Sequence, residues 1–415
     1  MSKLDLLIEN FCPQGVSFKP LGEVVRFLNG RAYKQAELLD EGKYKVLRVG
    51  NFYTNDKWYY SDLELDEDKY CENGDLLYTW AATLGPQIWS GETVIFHYHI
   101  WKLVFDETVL NKRFLYYFLA KDIDDISKSL TKSTMPHVSM ASMNKRLVPI
   151  PPMEVQSEIV RILDNFTELT AELTAELTAR QKQYNYYRNK LLTFNGVDIP
   201  IVQLRTVVKK SCSGSTPTKG NSDYYENGTI PWIRTQDVRF NEITEVDSYI
   251  TEKAVAETAV KWIPENCVIV AISGATAGRC AINKIKATTN QHCLNLEIDE
   301  SKALYRYIYY CIYNKYDELI SRKQGARGDL NSSLVLSLEI PVPALDVQKR
   351  LVYVLDNFDA ICSDLKIGLP AEIEARQKQY KFYRDALLTY AATGKIILTD
   401  RQTDRQTDRQ TSLMA

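Results

Sequence analysis

The sequence predicts a mixed α/β (α+β) fold with two globular domains separated by two long antiparallel coiled-coil helices and related by an internal pseudo-twofold repeat. Three observations predict it. One long motif occurs twice in the 415-residue chain, each copy places apolar residues at heptad spacing, and the stretches before each copy read as short strands with turn signals. The length leaves room for two cores and a connector.

The repeat sets the predicted domain boundaries. The letters V-Q followed by L-D-N-F occur at 155–166 and again at 347–358, and A-R-Q-K-Q-Y follows in both copies. A repeat of this length indicates a repeated structural unit. We therefore predict, in chain order, a first domain 1–147, a first long helix 148–195, a second domain 196–340, a second long helix 341–398 and a low-complexity tail 399–415.

Apolar side chains within each copy recur at alternating steps of four and three, which is the spacing of a coiled-coil seam. A helix of about forty residues spans on the order of 60 Å, longer than a domain of this size is wide. The alternative, an amphipathic helix lying on its own domain, is therefore weaker than pairing of the two helices. The residues predicted to pair them are Leu163, Phe166, Leu173, Leu177, Tyr184, Leu355, Phe358, Leu365 and Tyr380.

The two helices are predicted to differ in continuity. Pro370 interrupts the second helix near Gly368, because proline lacks the N–H that would bond the preceding turn. The first helix instead carries T-A-E-L units at 170–177, and the second copy holds four more residues between L-D-N-F and A-R-Q-K-Q-Y. The T-D-R-Q units of the tail contain no apolar residue, so we predict that the tail is disordered.

Each domain is predicted to contain short strands, then a Tyr-rich helix, then a polar loop. The helices are predicted over 114–120 and 305–313, and their tyrosines are expected in the core rather than as stacking platforms for bases. The loops, at 128–140 and 321–333, carry Lys, Arg, Ser, Thr and Gln side chains that suit contacts with phosphates and base edges. Solvated surface loops are an equally good interpretation of any single residue there.

Catalytic motifs are absent from the sequence. It contains no phosphate-binding Gly-x-x-x-x-Gly-Lys-Ser/Thr loop and no His-Glu-x-x-His zinc motif, and it has four histidines. His97 and His99 are predicted on one face of a strand, where they could form a metal pair, but no acid or cysteine accompanies them at ligand spacing. We predict that they are half-buried strand residues and that no metal is bound.

The cysteine content and the net charge limit the classes of protein to which this chain can belong. Eight cysteines without a Cys-x-x-Cys pair indicate reduced core residues and a cytoplasmic protein, and no apolar run is long enough for a membrane span. A net charge of −2 argues against a protein that holds nucleic acid alone by bulk electrostatics. A nucleic-acid role would need local basic loops or partners that supply positive charge.

The repeated letters carry a family resemblance that covers nearly the whole chain up to about Leu398. I-P-x-P, V-Q, L-D-N-F, R-Q-K-Q-Y and Y-R occur at both helices, T-A-E-L units occur in the first helix, and G-S-T-P…Y-Y-E-N-G-x-I-P-W-I occupies 214–233. This arrangement resembles the specificity subunit of type I restriction–modification systems. The T-D-R-Q tail departs from the family pattern.

The resemblance implies a non-catalytic subunit whose two target-recognition domains each read one half of a bipartite site on double-stranded DNA. The helices would set the spacer and dock two methyltransferase subunits, which restriction subunits then join. S-adenosylmethionine, ATP and magnesium would belong to those partners. The alternative is a coiled-coil adaptor that binds proteins and has no DNA specificity. The candidate DNA-binding residues are Lys128, Lys132, Ser133, Thr134, Arg234, Gln236, Arg322, Lys323, Gln324 and Arg327.

Overall fold

The computed structural model describes residues 3–53, 55–129, 137–194, 198–323, 329–363 and 367–393. They belong to two compact units, one formed by Met1–Glu172 with Ile373–Ala415 and the other by Leu173–Glu372. Both unit boundaries fall inside the long helices. Each unit therefore contains one domain, all or part of the long helix that follows it in the chain, and a segment of the other long helical region.

The first unit begins with a helix and is then mainly short strands. Its elements in chain order are α1 (Lys3–Phe11), β1 (Ser17–Pro20), α2 (Leu21–Val24), β2 (Arg26–Asn29), β3 (Tyr44–Leu47), β4 (Tyr59–Ser61), β5 (Tyr70–Cys71), β6 (Leu76–Thr79), β7 (Gly85–Ile88), β8 (Val94–Phe96), β9 (Ile100–Val104), α3 (Lys112–Ser129), α4 (Met140–Asn144), β10 (Leu147–Ile150) and the first part of α5 (Met153–Thr193).

The second unit repeats this plan. Its elements are β11 (Ile201–Gln203), β12 (Val208–Ser213), β13 (Ile230–Ile233), β14 (Asn241–Ile243), β15 (Tyr249–Ile250), α6 (Glu252–Glu257), β16 (Trp262–Ile263), β17 (Val268–Ala271), β18 (Cys280–Asn283), β19 (Ala287–Thr289), β20 (Cys293–Ile298), α7 (Tyr305–Asn314), α8 (Tyr316–Ser321), α9 (Ser332–Leu336), β21 (Glu339–Pro341) and α10 (Leu345–Ser363); α11 (Leu369–Thr393) follows and runs into the first unit.

The strand orders of the two units correspond. The first unit has sheets β4-β3-β8-β5 and β2-β9-β6-β7, and the second has β15-β13-β19-β16 and β12-β20-β17-β18-β14. In each, one sheet contains a central parallel pair, β3 with β8 and β13 with β19, among antiparallel neighbours. A two-stranded ribbon, β1-β10 or β11-β21, lies next to the long helix in sequence. This correspondence confirms the mixed α/β fold and the internal repeat.

Apolar strand faces and the Tyr-rich helices form the cores. Tyr117 in α3, and Tyr307 and Tyr310 in α7, are almost fully buried, as the sequence predicted. All described cysteines are unpaired, and all are buried except the half-buried Cys212. Burial raises the pKa of the Cys280 thiol, so it remains protonated as a small core residue.

The long helices use equivalent contacts in the two units. Phe166 of α5 stacks on Tyr383 of α11 in the first unit, with ring centroids 5.3 Å apart and planes at 21°. Phe358 of α10 stacks on Tyr187 of α5 in the second, at 5.8 Å and 24°. These phenylalanines both come from L-D-N-F, and these tyrosines both follow R-Q-K-Q-Y. The later segment of α5 thus contacts the earlier segment of the second helical region, the order expected for antiparallel pairing.

Burial along the predicted seam is graded. Leu163, Tyr184 and Leu355 are buried, whereas Phe166, Leu173, Leu177, Phe358 and Tyr380 are half-buried. Leu365 lies outside the described residues. The interruption near Pro370 is as predicted, because α10 ends at Ser363 and α11 begins at Leu369, which places the proline in a first helical turn, where its missing N–H costs nothing. The tail 399–415 lies outside the described residues.

Two expectations about local structure were wrong. Helix α3 extends to Ser129, so Lys128 belongs to a helix rather than to the predicted loop. His97 and His99 lie in the turn between β8 and β9, not within one strand. The alternating pattern of 94–105 continues through the turn, which is why periodicity alone did not reveal it. No helix within the described ranges is long and apolar enough to cross a bilayer.

Candidate nucleic-acid interface

Matched turns connect β8 to β9 and β19 to β20, and the same backbone hydrogen bonds hold both. The N–H of His97 donates to Leu47 O at 2.9 Å, and the N–H of Asn290 donates to Ile233 O at 3.0 Å. Trp80 N–H donates to His99 O at 3.1 Å, and its counterpart bond, Ile272 N–H to His292 O, is 2.9 Å. We call these two turns, residues 97–99 and 290–292, the matched turns.

A glycine at the end of a neighbouring strand, Gly30 after β2 or Gly214 after β12, bonds to the residue that follows each matched turn. Gly30 N–H donates to Ile100 O at 3.2 Å, and Gly214 N–H donates to Cys293 O at 3.4 Å. A Cβ at Gly30 would lie 2.4 Å from Phe96 O, and one at Gly214 would lie 1.9 Å from Thr289 O. Neither position has space for a side chain, so the chain passes the matched turns at backbone contact in both units.

In the first unit the matched turn is aromatic. Tyr98 is 38% exposed, and its ring centroid lies 3.9 Å from that of His99 and 6.1 Å from that of Trp80. The indole N–H of Trp80 donates to Tyr98 O at 2.7 Å. On the other side, Tyr33 stacks on His97 at 6.4 Å. These contacts hold the turn between rings while leaving Tyr98 at its tip accessible.

The two histidines of this turn are electrically neutral near pH 7. Burial, the adjacent His99 and then Arg48 lower the pKa of His97 to about 4, because each disfavours the imidazolium form. Burial also lowers the pKa of His99. No group of three or more His, Cys, Asp or Glu side chains suited to a metal ion occurs among the described residues.

In the second unit the matched turn is polar. Asn290 is nearly buried, whereas Gln291 and His292 are exposed. The Thr216 hydroxyl donates to Gln291 Oε1, and Gln291 Nε2 lies 3.2 Å from His292 Nε2. The carboxamide of Gln291 is therefore oriented from both ends, and it keeps donor and acceptor capacity toward solvent.

A matched arginine follows the central strand in each unit. Arg48 N–H donates to Asn51 Oδ1 at 3.0 Å, and Arg234 N–H donates to Asp237 Oδ2 at 2.8 Å. Both arginines are half-buried, and Nε of Arg234 is buried without a hydrogen-bond partner. A cation thus stands next to the matched turn in both units, at the strand end to which the turn is bonded.

The repeated V-Q and L-D-N-F letters attach the long helices to the domains. Gln156 and Gln348 are fully buried. Gln156 Nε2 donates to Val109 O at 2.9 Å and Pro151 O at 2.7 Å, while its Oε1 accepts from Asn111 N–H at 2.8 Å. Gln348 repeats this pattern with Lys302 O at 3.3 Å, Pro343 O at 2.8 Å and Leu304 N–H at 2.9 Å.

The aspartate of L-D-N-F makes a second equivalent attachment. Asp164 Oδ1 accepts hydrogen bonds from Tyr117 OH at 2.5 Å and from Arg113 Nε at 2.8 Å. In the second unit Tyr310 OH and Arg306 Nε each donate to Asp356 Oδ1 at 2.6 Å. Two attachments, about two helical turns apart, fix the rotation of each domain about its own helix.

Comparison with known families agrees with this duplicated architecture. A family model described as the type I restriction modification DNA specificity domain matches residues 13–180 and, a second time, residues 197–375. The chain belongs to this family of type I restriction–modification specificity proteins.

Individual relatives extend the comparison. The chain is 35% identical over 264 residues to the specificity subunit of the type I restriction enzymes EcoR124I/EcoR124II of Escherichia coli, an alignment covering 60% of this chain and 65% of that protein. It is 28% identical over 396 residues to a putative type I restriction enzyme specificity subunit of Haemophilus influenzae, covering 91% and 96%. These relatives confirm the family resemblance.

Solved structures show the same fold. A chain solved in a study of complex assembly and conformational transition of the type I restriction–modification system has a TM-score of 0.64 at 16% identity, covering 92% of this chain and 98% of that one. The specificity subunit of a type I system from M. genitalium has a TM-score of 0.52 at 14% identity, covering 91% and 97%.

The structure places the candidate DNA-binding residues of this specificity protein in different environments. Gln236 is exposed beside the half-buried Arg234, next to the matched turn. Arg322 instead pairs with Glu318 and donates to Ser337 Oγ at 3.4 Å, so its guanidinium is used within the domain. Lys323 is half-buried and makes no ion pair in the part of the chain that the structure describes. Lys132, Ser133, Thr134, Gln324 and Arg327 lie outside the described residues, and their roles stay predictions, as does that of Lys128 in α3.

Sequence reasoning missed the matched turns as parts of a DNA-specificity protein. A signal was present, because a histidine occupies an equivalent place in each half, His99 in H-Y-H-I and His292 in N-Q-H-C. The residues around them differ too much for the repeat to be visible there without the strand pairing that aligns the two turns.

Proposed function

We propose that this chain is the non-catalytic DNA-reading subunit of a type I restriction–modification complex, in which each unit reads one half of a bipartite double-stranded site. One observation carries the proposal. The two units share strand order, backbone hydrogen bonds and helix attachments, yet present different side chains at the matched turns. Two domains of the same fold can recognise two different half-sequences only if their exposed side chains differ.

We further propose that the long helices set the spacer and bind two methyltransferase subunits, which restriction subunits then join. Several large apolar side chains remain exposed on these helices, which supports a protein-binding role. Tyr353 is 70% exposed on α10, and Tyr186 is 61% exposed on α5. Leu169 on α5 and Ile361 on α10 are exposed as well, to a smaller extent.

S-adenosylmethionine, ATP and magnesium belong to those partners in this proposal, and this chain supplies position and sequence choice. The near-neutral charge fits a shared interface, because partners that surround the DNA can supply most of the phosphate contacts. The complex would act in the cytoplasm, where it meets DNA.

The test is adenine-methylation mapping of genomic DNA from cells that carry this chain with the methyltransferase subunits of its system. We expect methylation at a bipartite sequence with two defined halves and an undefined spacer, lost when this chain is omitted. A coiled-coil adaptor without DNA specificity would instead leave the methylation pattern unchanged on omission, and that result would reject the proposal.

A further inference from the structure

We propose that the matched turns are base-reading elements, with Tyr98 reading in the first half-sequence and Gln291 in the second. This inference rests on the proposed function and names the residues that carry it out. Tyr98 and Gln291 occupy the same position, two residues after Phe96 and Thr289, which end the equivalent strands β8 and β19.

The backbone of the matched turns is more constrained than a surface loop requires. Each turn is hydrogen-bonded to the central parallel strand and to the strand end before β7 or β18, and the residue just after each turn accepts a hydrogen bond from the glycine that follows β2 or β12. A rigid backbone places a side chain within a fraction of an ångström, and base readout in a groove depends on such placement.

The two units carry different side chains at turns whose backbones are held by equivalent hydrogen bonds. At the tip the first unit has an exposed phenol ring among aromatic neighbours, and the second has an exposed carboxamide next to Thr216 and His292. Equivalent turns that expose groups of different polarity suit contacts with different bases at the matched positions.

The chemistry of each tip defines what it reads. A carboxamide oriented by neighbours can donate to N7-side acceptors and accept from an exocyclic amine, the bidentate pairing of glutamine with adenine. We therefore assign Gln291 to an adenine in the major groove. The Tyr98 ring offers an apolar edge instead, which suits the C5 methyl group of thymine.

The surrounding charges support this location over the polar loops. Arg48 and Arg234 follow the central strands at the same end of their sheets as the matched turns, where a cation can contact phosphate while the tip contacts bases. Arg322, the first of three basic residues in the polar loop of the second unit, is already paired with Glu318.

The experiment maps adenine methylation by the complete complex of the full chain with its methyltransferase subunits, for Gln291→Ala, Gln291→Glu and Tyr98→Ala. We expect Gln291→Ala to lower discrimination about tenfold or more at one position of the second half-sequence, the contribution of one bidentate contact, with the first half unchanged. Gln291→Glu should move the preference at that position toward cytosine, whose N4 amine donates to a carboxylate. Tyr98→Ala should relax one position of the first half only.

Gln203→Ala is the matched control, because Gln203 is also exposed in the second unit but lies on β11, outside the matched turn. It should leave both halves unchanged. Unaltered half-sequences in all three turn variants would overturn the assignment, as would loss of all methylation by both Gln291 variants. Failure of the proposed function is a separate result, since the unmodified complex would then show no sequence-specific methylation.

Discussion

Buried glutamines connect the long helices to their domains at the scale of single residues. Each one satisfies two carbonyl oxygens and one N–H that would otherwise be buried without partners, at the point where the strand ribbon gives way to the helix. An apolar residue of similar size would leave all three groups unpaired, and each unpaired group costs about 1–3 kcal/mol. The amide is therefore a structural requirement of the duplicated unit.

Gln156→Leu should lower the free energy of unfolding of the first unit by roughly 2 kcal/mol or more. Urea unfolding followed by intrinsic fluorescence measures the change. Gln181→Leu, at an exposed position of the same helix, is the control and should alter stability by no more than about 0.5 kcal/mol. Equal effects of the two substitutions would contradict the anchoring role.

His97 makes a pH-dependent contribution to stability with a defined sign. Its pKa falls to about 4 in the folded chain, below the ordinary value near 6.5. The unfolded chain therefore takes up the proton first, so His97 lowers stability as the pH falls from about 6.5 toward 4. Above that window it has no effect.

His97→Asn places the residue of the second unit's matched turn at the equivalent position of the first. We expect the variant to lose less stability than the unmodified chain between pH 7.5 and pH 5, measured as the shift of the urea midpoint at the two values. A shift as large in the variant as in the unmodified chain would show that His97 does not titrate in this way.

At the scale of elements, the T-A-E-L units form a regular part of α5 in which the leucines, the alanines and the glutamates each keep one environment. Leu173 and Leu177 are half-buried, whereas Glu172, Ala175 and Glu176 are exposed. The Thr178 hydroxyl donates to Thr174 O at 3.0 Å, one unit earlier. The boundary between the two units falls between Glu172 and Leu173, so a change of length here alters the connection without changing either domain.

Deleting Thr174 to Leu177 removes about 6 Å of helix and about 40° of rotation. One base pair of DNA corresponds to about 3.4 Å and about 35°. Rotation is the sterner requirement, because a domain turned away from its groove cannot read it. We expect the spacer of the methylated site to shorten by one base pair, with both half-sequences retained, in methylation maps of the complex.

Deleting only two of these residues is the matched control. Two residues rotate a helix by about 200°, so the second domain should face away from the DNA and methylation should be lost. An unchanged spacer after the four-residue deletion, or altered half-sequences, would rule out a spacer function for the helix.

At the scale of the whole molecule, the chain is two copies of one unit that exchange helical segments. The first unit contains most of α11, and the second contains the C-terminal half of α5. The stacked pairs Phe166–Tyr383 and Phe358–Tyr187 are equivalent. The exchanged segments match in sequence. The corresponding residues are Tyr184 and Tyr380, Tyr187 and Tyr383, Leu191 and Leu387, and Leu192 and Leu388.

A fragment of residues 1–194 should therefore form a homodimer in which the end of α5 from one copy replaces α11 in the other. With the methyltransferase subunits it should direct methylation to a symmetric site made of the first half-sequence and its inverted copy. Light scattering checks the dimer, and methylation mapping checks the site. Methylation of an asymmetric site by this fragment would disprove the exchange.

Features that depend on interactions between residues close in the chain could be predicted from the sequence, whereas features that depend on distant residues could not. The long helices, their interruption near Pro370 and the buried tyrosines were all predictable, because heptad spacing, proline chemistry and helical periodicity act over a few residues. The duplicated motifs also revealed the repeat and the family. Gln156 and Asp164 attach the helix in the first half, and the same residue types, Gln348 and Asp356, make the same attachments in the second half.

The matched turns were decided only by the tertiary structure. His97 reads as part of one alternating strand, and nothing local marks a turn there. The turn exists because Leu47 O and Arg31 O, distant in the chain, accept hydrogen bonds from its backbone. Arg322 has a local partner in Glu318, four residues earlier, and only folding adds its hydrogen bond to Ser337 Oγ. Sequence by itself determined the helices and the duplicated plan, whereas long-range strand pairing determined which side chains stand exposed at the tips.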